Sequence, residues 1–345
     1  MKNNFFEKIN IRNVFLYITE KCSLSCDYCY FQHKEIKHIL DRKIISAFLK
    51  VISSHPKRDS IHFIISGGEP LLSWKLLQDT VRLIKRDFKN NHIHIQTNGT
   101  YLDFQKMLFL KKFGTGIEFG IDGDFDSTTK HREGLTLNKY KKLCKNIENC
   151  VKLNLPVSAT MTIHPQETEK MLKNFAYLVN LGLKNIDITP AAFMGWNKYS
   201  IYRFKKNYLQ IVKKIPGIWK KFLYTAEDTP TSPVSWDVSI GYGGYVLPGD
   251  VYLCLPQELK AKYSIVTFQK GTVKLRNDNY NFFLNEYKKT LCRSRNKRFL
   301  HRDFVIASFF ILDRIVKNKV YKSNSKIMGN LLSFIRDSHR ILIKK

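Results

Sequence analysis

An α/β fold built around a parallel sheet is the architecture the sequence predicts. Apolar strand-like runs alternate with helical stretches, and six such strand segments fall within about two hundred residues. Turns bearing cysteine, glycine or paired polar residues follow four of those strands, where a β/α barrel places its chemistry.

The elements follow in order. Val14–Thr19 is an apolar run that opens onto Thr19-Glu20-Lys21-Cys22-Ser23-Leu24-Ser25-Cys26-Asp27-Tyr28-Cys29-Tyr30. A helix is expected over Asp41–Ser54. The second strand, Ile61–Ser66, ends on Gly67-Gly68-Glu69-Pro70 and feeds a helix over Ser73–Phe88. His92–Gln96 closes on the polar turn Thr97-Asn98-Gly99 before a helix over Phe104–Phe113. Gly116–Ile121 leads into Asp122-Gly123 and His131-Arg132, then a helix over Leu137–Lys152. Val157–Thr162, a helix over Glu167–Leu181 and Asn185–Thr189 complete the set. All four motif-bearing loops then share one face.

Three thiolates on one short loop can hold three corners of a cubane iron–sulfur cluster and leave the fourth iron open. Zinc would need a fourth ligand, for which His33 has a plausible spacing. Inert buried cysteines fit poorly with the interleaved Ser23, Ser25 and Asp27. In the second loop, paired glycines let the backbone approach a ligand closely, and Pro70 starts the next segment without an N–H.

The C-x3-C-x2-C spacing, with Tyr28 before the last cysteine, resembles the signature of the radical S-adenosylmethionine (radical SAM) enzymes, and of their peptide-maturase type in particular. The resemblance implies a partial (β/α)6 TIM-like barrel over residues 10–228. It implies a [4Fe–4S] cluster on Cys22, Cys26 and Cys29, with S-adenosyl-L-methionine as the second cofactor. Gly67, Gly68, Glu69 and Pro70 match the run that receives the cofactor's amino group. Tyr28 matches a position beside the adenine, and Asn98 lies on the third turn of the cofactor site. Arg132, twelve residues after Gly120, matches the residue that clamps the cofactor carboxylate; the serine of that pattern is replaced by Gly120. The implied chemistry is reductive cleavage to a 5′-deoxyadenosyl radical, which takes a hydrogen atom from the substrate.

Thr229–Pro233 reads as a linker. Residues 234–299 follow, with Val246–Cys254 read as a hairpin around Pro248-Gly249-Asp250. The Gly249…Cys254 spacing resembles the opening of the SPASM extension in a degenerate or twitch-like form. Cys254 and Cys292 are too few for an auxiliary cluster. They are candidate catalytic thiols, as hydrogen donor or acid, or cysteines left from a lost cluster. Leu255 stands where sulfatase-maturing relatives carry a basic aspartate, which disfavours that reaction. Residues 300–345 form a basic helical tail. Its apolar stripes, Phe304–Val316 and Leu331–Ile341, either pack on the enzyme or meet a membrane surface or peptide.

Composition sets the remaining expectations. The 345 residues carry a net charge of +29, no signal peptide, and no apolar run long enough to cross a membrane. Seven cysteines, three of them clustered, fit metal ligation in a reducing, cytoplasmic compartment. Dispersed lysines without an RNA-binding module argue against nucleic acid, and an acidic leader peptide is the competing anionic partner. The expected substrate is a ribosomally synthesised precursor peptide, modified by a thioether or carbon–carbon crosslink or by epimerisation. The alternatives are a small molecule (a sugar alcohol or a heme precursor) and a non-catalytic peptide-binding relative. Flavodoxin or ferredoxin would be the external one-electron donor. Cys22 comes too early for an N-terminal leader domain, so a separate leader-binding protein or the basic tail would recognise the leader.

Overall fold

A computed structural model describes residues 10–29, 31, 38–192, 194–214, 235–248, 251–255, 257–269, 272–291, 311–312, 315–316, 326–335 and 338. Six parallel strands form its centre: β1 (Asn10–Thr19), β2 (His62–Gly67), β3 (Ile93–Thr97), β4 (Thr115–Gly120), β5 (Val157–Ile163) and β6 (Ile186–Pro190). The helices between them are α1 (Arg42–Ile52), α2 (Trp74–Asp87), α3 (Phe104–Lys112), α4 (Leu137–Lys152) and α5 (Met171–Asn180), with α6 (Lys198–Lys214) after β6. Each strand and helix expected between Val14 and Thr189 is present, with ends shifted by a few residues.

Local chemistry explains where the helices begin. Asp41, Asp103 and Thr136 lie just ahead of α1, α3 and α4, and each side chain accepts a hydrogen bond from a first-turn backbone N–H. The sequence pattern marks α6 less cleanly. Phe204, Tyr208, Ile211 and Val212 are buried, but Tyr199 and Tyr202 are exposed and break the apolar stripe.

Strand alternation gives the sheet two unlike faces. Val14, Leu16, Ile18, Phe63, Ile65, Ile95, Ile117, Phe119, Ala159, Met161, Ile186 and Ile188 are buried in the hydrophobic core. On the other face of β3 to β6, His94, Gln96, Glu118, Thr160, Thr162 and Asp187 are only half-buried. The interior is therefore polar and incompletely filled, unlike the branched-aliphatic core of a closed eight-stranded barrel.

The sheet continues past β1. There β7 (Ser235–Ile240) pairs in parallel with it, and β8 (Tyr245–Pro248), β9 (Val266–Gln269) and β10 (Thr272–Leu275) add on antiparallel. Helices α7 (Gln257–Tyr263) and α8 (Asn277–Leu291) flank them. The chain reverses at Gly241–Gly244 rather than around Pro248, and Val251–Cys254 is helical rather than a strand. Gly243 and Gly244 take φ values of 81° and 65°, which favour glycine. A Cβ on Gly244 would also lie 2.1 Å from the Phe268 carbonyl oxygen.

The expected linker at Thr229–Pro233, Cys292, most of the 300–345 tail and the side chain of Cys254 lie outside the described residues. Within the tail, Ile311, Leu312, Leu331, Leu332 and Ile335 are buried. Phe334 lies against Tyr208 of α6, with ring centroids 6.1 Å apart, so this part of the tail packs on α6.

Candidate active site at the mouth of the barrel

All four motif loops leave the C-terminal ends of β1 to β4. The cysteine loop follows a bulge at the end of β1, where Thr19 pairs with Gly67. Gly67 and Gly68 bring the second loop against it. Gly67 has φ 142°, and a Cβ there would meet the Thr19 carbonyl oxygen at 2.1 Å; one on Gly68 would meet the Lys21 oxygen at 2.4 Å. Gly68 N donates to Thr19 O and Glu69 N to Lys21 O, each at 2.7 Å. The close approach these glycines permit is thus to the chain's own cysteine-loop backbone.

Glu69 turns inward and is fully buried. Its Oε1 accepts from Leu71 N (2.9 Å) and Thr97 Oγ1 (2.7 Å), and its Oε2 from Asn98 N (2.8 Å). Burial pushes its carboxyl up to about 7 despite these donors. Glu69 therefore braces the β2 and β3 turns.

Asn98 joins the third turn to the first. Its Nδ2 donates to Cys22 Sγ at 3.7 Å and to Ser23 Oγ at 3.3 Å, while its Oδ1 accepts from Thr100. Backbone N–H groups of Leu24 and Phe31 point at Cys22 Sγ (3.5 Å) and Cys29 Sγ (3.4 Å). Donors aimed at cysteine sulfurs suit cluster ligation. As a free thiol, Cys26 is pushed up to about 12 by burial, so metal binding would displace its proton.

The fourth loop returns to the first. Ser25–Cys26 and Arg132–Glu133 form a two-residue antiparallel pair in which Cys26 faces Arg132. Arg132 is buried, and its Nε and Nη2 each donate to Asp122 at 2.8 Å in a bidentate pair. Asp122 also accepts from Tyr28 Oη at 2.6 Å and from Thr162 N at 2.9 Å. Burial works against the charge of Arg132, but the Asp122 carboxylate holds the guanidinium charged. Asp122 is the hub that sequence reasoning passed over; the Asp122-Gly123 pair in the strand-to-loop motif was its only signal. Among the other predicted residues, Pro70 opens a short 3-10 turn capped by Glu69.

Deeper in the barrel, Glu118 Oε1 accepts from Gln96 Nε2 (3.0 Å) and Thr160 Oγ1 (2.6 Å). Its Oε2 lies 3.7 Å from His94 Nε2, and His94 Nδ1 lies 2.9 Å from His62 Nε2. Burial raises the Glu118 carboxyl, and burial with His62 pushes His94 down to about 3.

Residues 16–179 match the model of the Radical SAM superfamily. These residues form a radical SAM domain. Members of this superfamily use a [4Fe–4S] cluster and S-adenosylmethionine, and the free Cys22, Cys26 and Cys29 thiols with their N–H donors fit that cluster. The chain is similar to several curated proteins. An uncharacterised protein of Methanocaldococcus jannaschii is 25% identical over 182 residues, covering 51% of this chain and 61% of that protein. The tungsten-containing aldehyde ferredoxin oxidoreductase cofactor-modifying protein of Pyrococcus furiosus is 30% identical over 183 residues, or 50% and 49%. The PqqA peptide cyclase of Granulibacter bethesdensis is 24% identical over 180 residues, or 52% and 47%. The chain thus spans between 47% and 61% of the length of these relatives.

Among solved structures, anSMEcpe with bound AdoMet shares the fold over 94% of this chain and 99% of its own, at TM-score 0.63 and 15% identity. SuiB of Streptococcus suis, bound to its precursor peptide SuiA, does so over 72% and 61%, at TM-score 0.55 and 11% identity. Among the described residues no helix is long and apolar enough to cross a membrane.

Proposed function

We propose that the protein is a radical SAM enzyme that modifies a ribosomally synthesised peptide. The carrying observation is the convergence at one barrel mouth of three free thiols with the Gly67-Gly68 turn, Asn98 and Arg132. Peptide as the substrate class is supported by what the relatives handle: SuiB is seen with SuiA, anSMEcpe with the Cp18Cys peptide, and one relative is a PqqA peptide cyclase. The net charge of +29 suits an acidic leader.

When bound, the cluster and S-adenosylmethionine supply hydrogen-atom abstraction from an unactivated carbon. Cys22, Cys26 and Cys29 would hold the iron, and the donors from Leu24 and Asn98 orient the sulfur of Cys22 while that from Phe31 orients the sulfur of Cys29. Asp122 takes Nε and Nη2 of Arg132, so Nη1 would be the guanidinium nitrogen left to the cofactor carboxylate. Glu69 Oε1 already accepts two donors and Oε2 one, so the remaining Oε2 lone pair and the carbonyls of the Gly67-Gly68 turn would take the ammonium. Tyr28 closes the adenine side with its hydroxyl fixed on Asp122. The half-buried polar face of β3 to β6 receives the substrate. Residues 234–299 act as a SPASM- or twitch-like extension without a second cluster, leaving Cys254 and Cys292 as candidate thiols.

The test is anaerobic reconstitution, then reduction of the cluster by dithionite in the presence of S-adenosylmethionine and the short peptides encoded beside the gene. 5′-Deoxyadenosine, together with a peptide mass shift or, for an epimerisation, uptake of deuterium from D2O, is the expected result. 5′-Deoxyadenosine with every such peptide unchanged would overturn the peptide reading. About four irons in wild type and almost none after replacing Cys22, Cys26 and Cys29 by Ala would support a single cluster.

A further inference from the structure

The two halves of the cysteine loop are held from different sides. The Cys22 half is tied to the β3 turn through Asn98 and through Ser23–Thr100. The Cys26–Cys29 half is tied to the segment that carries Arg132. Cys26 pairs with Arg132, Asp27 N donates to His131 O at 3.2 Å, and Tyr28 donates to Asp122.

One side-chain contact reinforces that second tie. His131 Nδ1 lies 2.6 Å from Asp27 Oδ2. His131 is 6% exposed, while Asp27 is 45% exposed, so a buried imidazole is spent on a surface carboxylate beside two cluster cysteines. The ring is held in place. It stacks on His164 with centroids 3.9 Å apart and planes 20° from parallel, and Glu167 Oε1 lies 3.9 Å from Nε2. Glu167 is itself anchored by Lys130 (2.6 Å) and Lys170 (3.1 Å). Asp27, His131 and His164 have ligand atoms within 4.8 Å of one another. Stacked imidazoles aim their in-plane lone pairs side by side rather than at one point, so the arrangement works as a latch and not as an ion site.

We propose that His131 is a positioning residue: its bond to Asp27 fixes the span between the Cys26–Cys29 half of the loop and Arg132, and thereby the affinity for S-adenosylmethionine. The inference rests on the cofactor-site reading above. A cofactor that bridges the cluster and the guanidinium needs both at one separation, and misplacement by a fraction of an ångström weakens both contacts.

Two variants separate the bond from the packing. His131→Asn keeps a donor near the Nδ1 position but loses the ring; His131→Phe keeps a ring against His164 but loses the donor. Full-length reconstituted proteins would be compared by iron content, by equilibrium binding of S-adenosylmethionine, and by the change that S-adenosylmethionine causes in the EPR signal of the reduced cluster. In His131→Phe and Asp27→Ala, iron is expected at the wild-type level, binding weakened about tenfold and the EPR change diminished, with His131→Asn within about twofold of wild type. Wild-type binding in His131→Phe, or equal losses in His131→Asn and His131→Phe, would overturn the latch. If His131→Phe fails to take up iron, Asp27→Ala decides, because that side chain is largely exposed. Arg132→Ala serves as the reference: unchanged binding there would defeat the clamp reading itself, an outcome distinct from failure of the latch.

Discussion

The guanidinium of Arg132 fills the space directly over Gly120. A Cβ at position 120 would lie 2.8 Å from Nη1 and 3.3 Å from Nη2. Asp122 draws Arg132 into that place from the other edge. Gly120→Ala and Gly120→Ser should therefore displace the guanidinium rather than supply a second carboxylate donor. Affinity for S-adenosylmethionine is expected to fall about tenfold in both, roughly 1.4 kcal/mol, with iron content unchanged. Equilibrium binding checks it, and a tighter serine variant would contradict the arrangement.

The glycines of the second loop face a harder obstacle. A Cβ on Gly68 would meet backbone, Lys21 O at 2.4 Å and Glu20 O at 2.7 Å, with no flexible side chain to yield. Gly68→Ala is expected to destabilise by about 1–3 kcal/mol and to lower iron uptake, because the cysteine loop must move. Gly114 is the control. It has φ 58° but nothing within 4 Å of an added Cβ, so Gly114→Ala should cost only about 1 kcal/mol and leave iron unchanged. Thermal melts and iron assays on the two variants make the comparison.

How much of this was legible depends on sequence distance. The strands were legible because β-branched and aromatic runs stop at turn residues, and the Cys22–Cys29 loop because its ligands lie within eight residues. Arg132 could be placed by its spacing from Gly120. The role of Asp122 could not, since it depends on Tyr28, Thr162 and Arg132 arriving at one carboxylate from three segments. The Asp27–His131 contact likewise needs the Cys26–Arg132 register, which no local pattern encodes. Glu69 was read as an ammonium acceptor from its place in a motif. Its inward turn follows from the N–H and hydroxyl donors at the start of the β3 turn.

Glu69 also gives stability a pH dependence of defined sign. Its carboxyl is raised from 4.5 to about 7 by burial, so between those values the folded state holds a proton that the unfolded state has lost. Stability from this group is present below about pH 4.5 and is lost as pH rises through about 7, by roughly 3 kcal/mol at most. The fall in the urea midpoint from pH 5 to pH 7.5 should be smaller in Glu69→Gln than in wild type. Taking the difference removes the opposing effect of the high net positive charge, which both proteins share. Parallel curves would show that Glu69 ionises normally.

The Asp122 hub makes a prediction about coupling. Tyr28→Phe removes one donor but leaves the carboxylate paired with Arg132, so its cost should be about 1–2 kcal/mol. Asp122→Asn removes the charge and leaves a buried guanidinium uncompensated, which is expected to cost about 3–5 kcal/mol. Once Asp122 is Asn, the Tyr28 hydroxyl no longer donates to a charged acceptor. Tyr28→Phe in that background should then cost less than it does alone, and the double-mutant cycle should give an interaction energy of about 1 kcal/mol. Because Tyr28 and Arg132 link Asp122 to the cysteine loop, the same variants should lose S-adenosylmethionine affinity in the same order. Additive stabilities would mean that the Tyr28 hydroxyl gains nothing from the charge on Asp122, and the mouth of the barrel would lack the single charged hub that ties its first loop to its fourth.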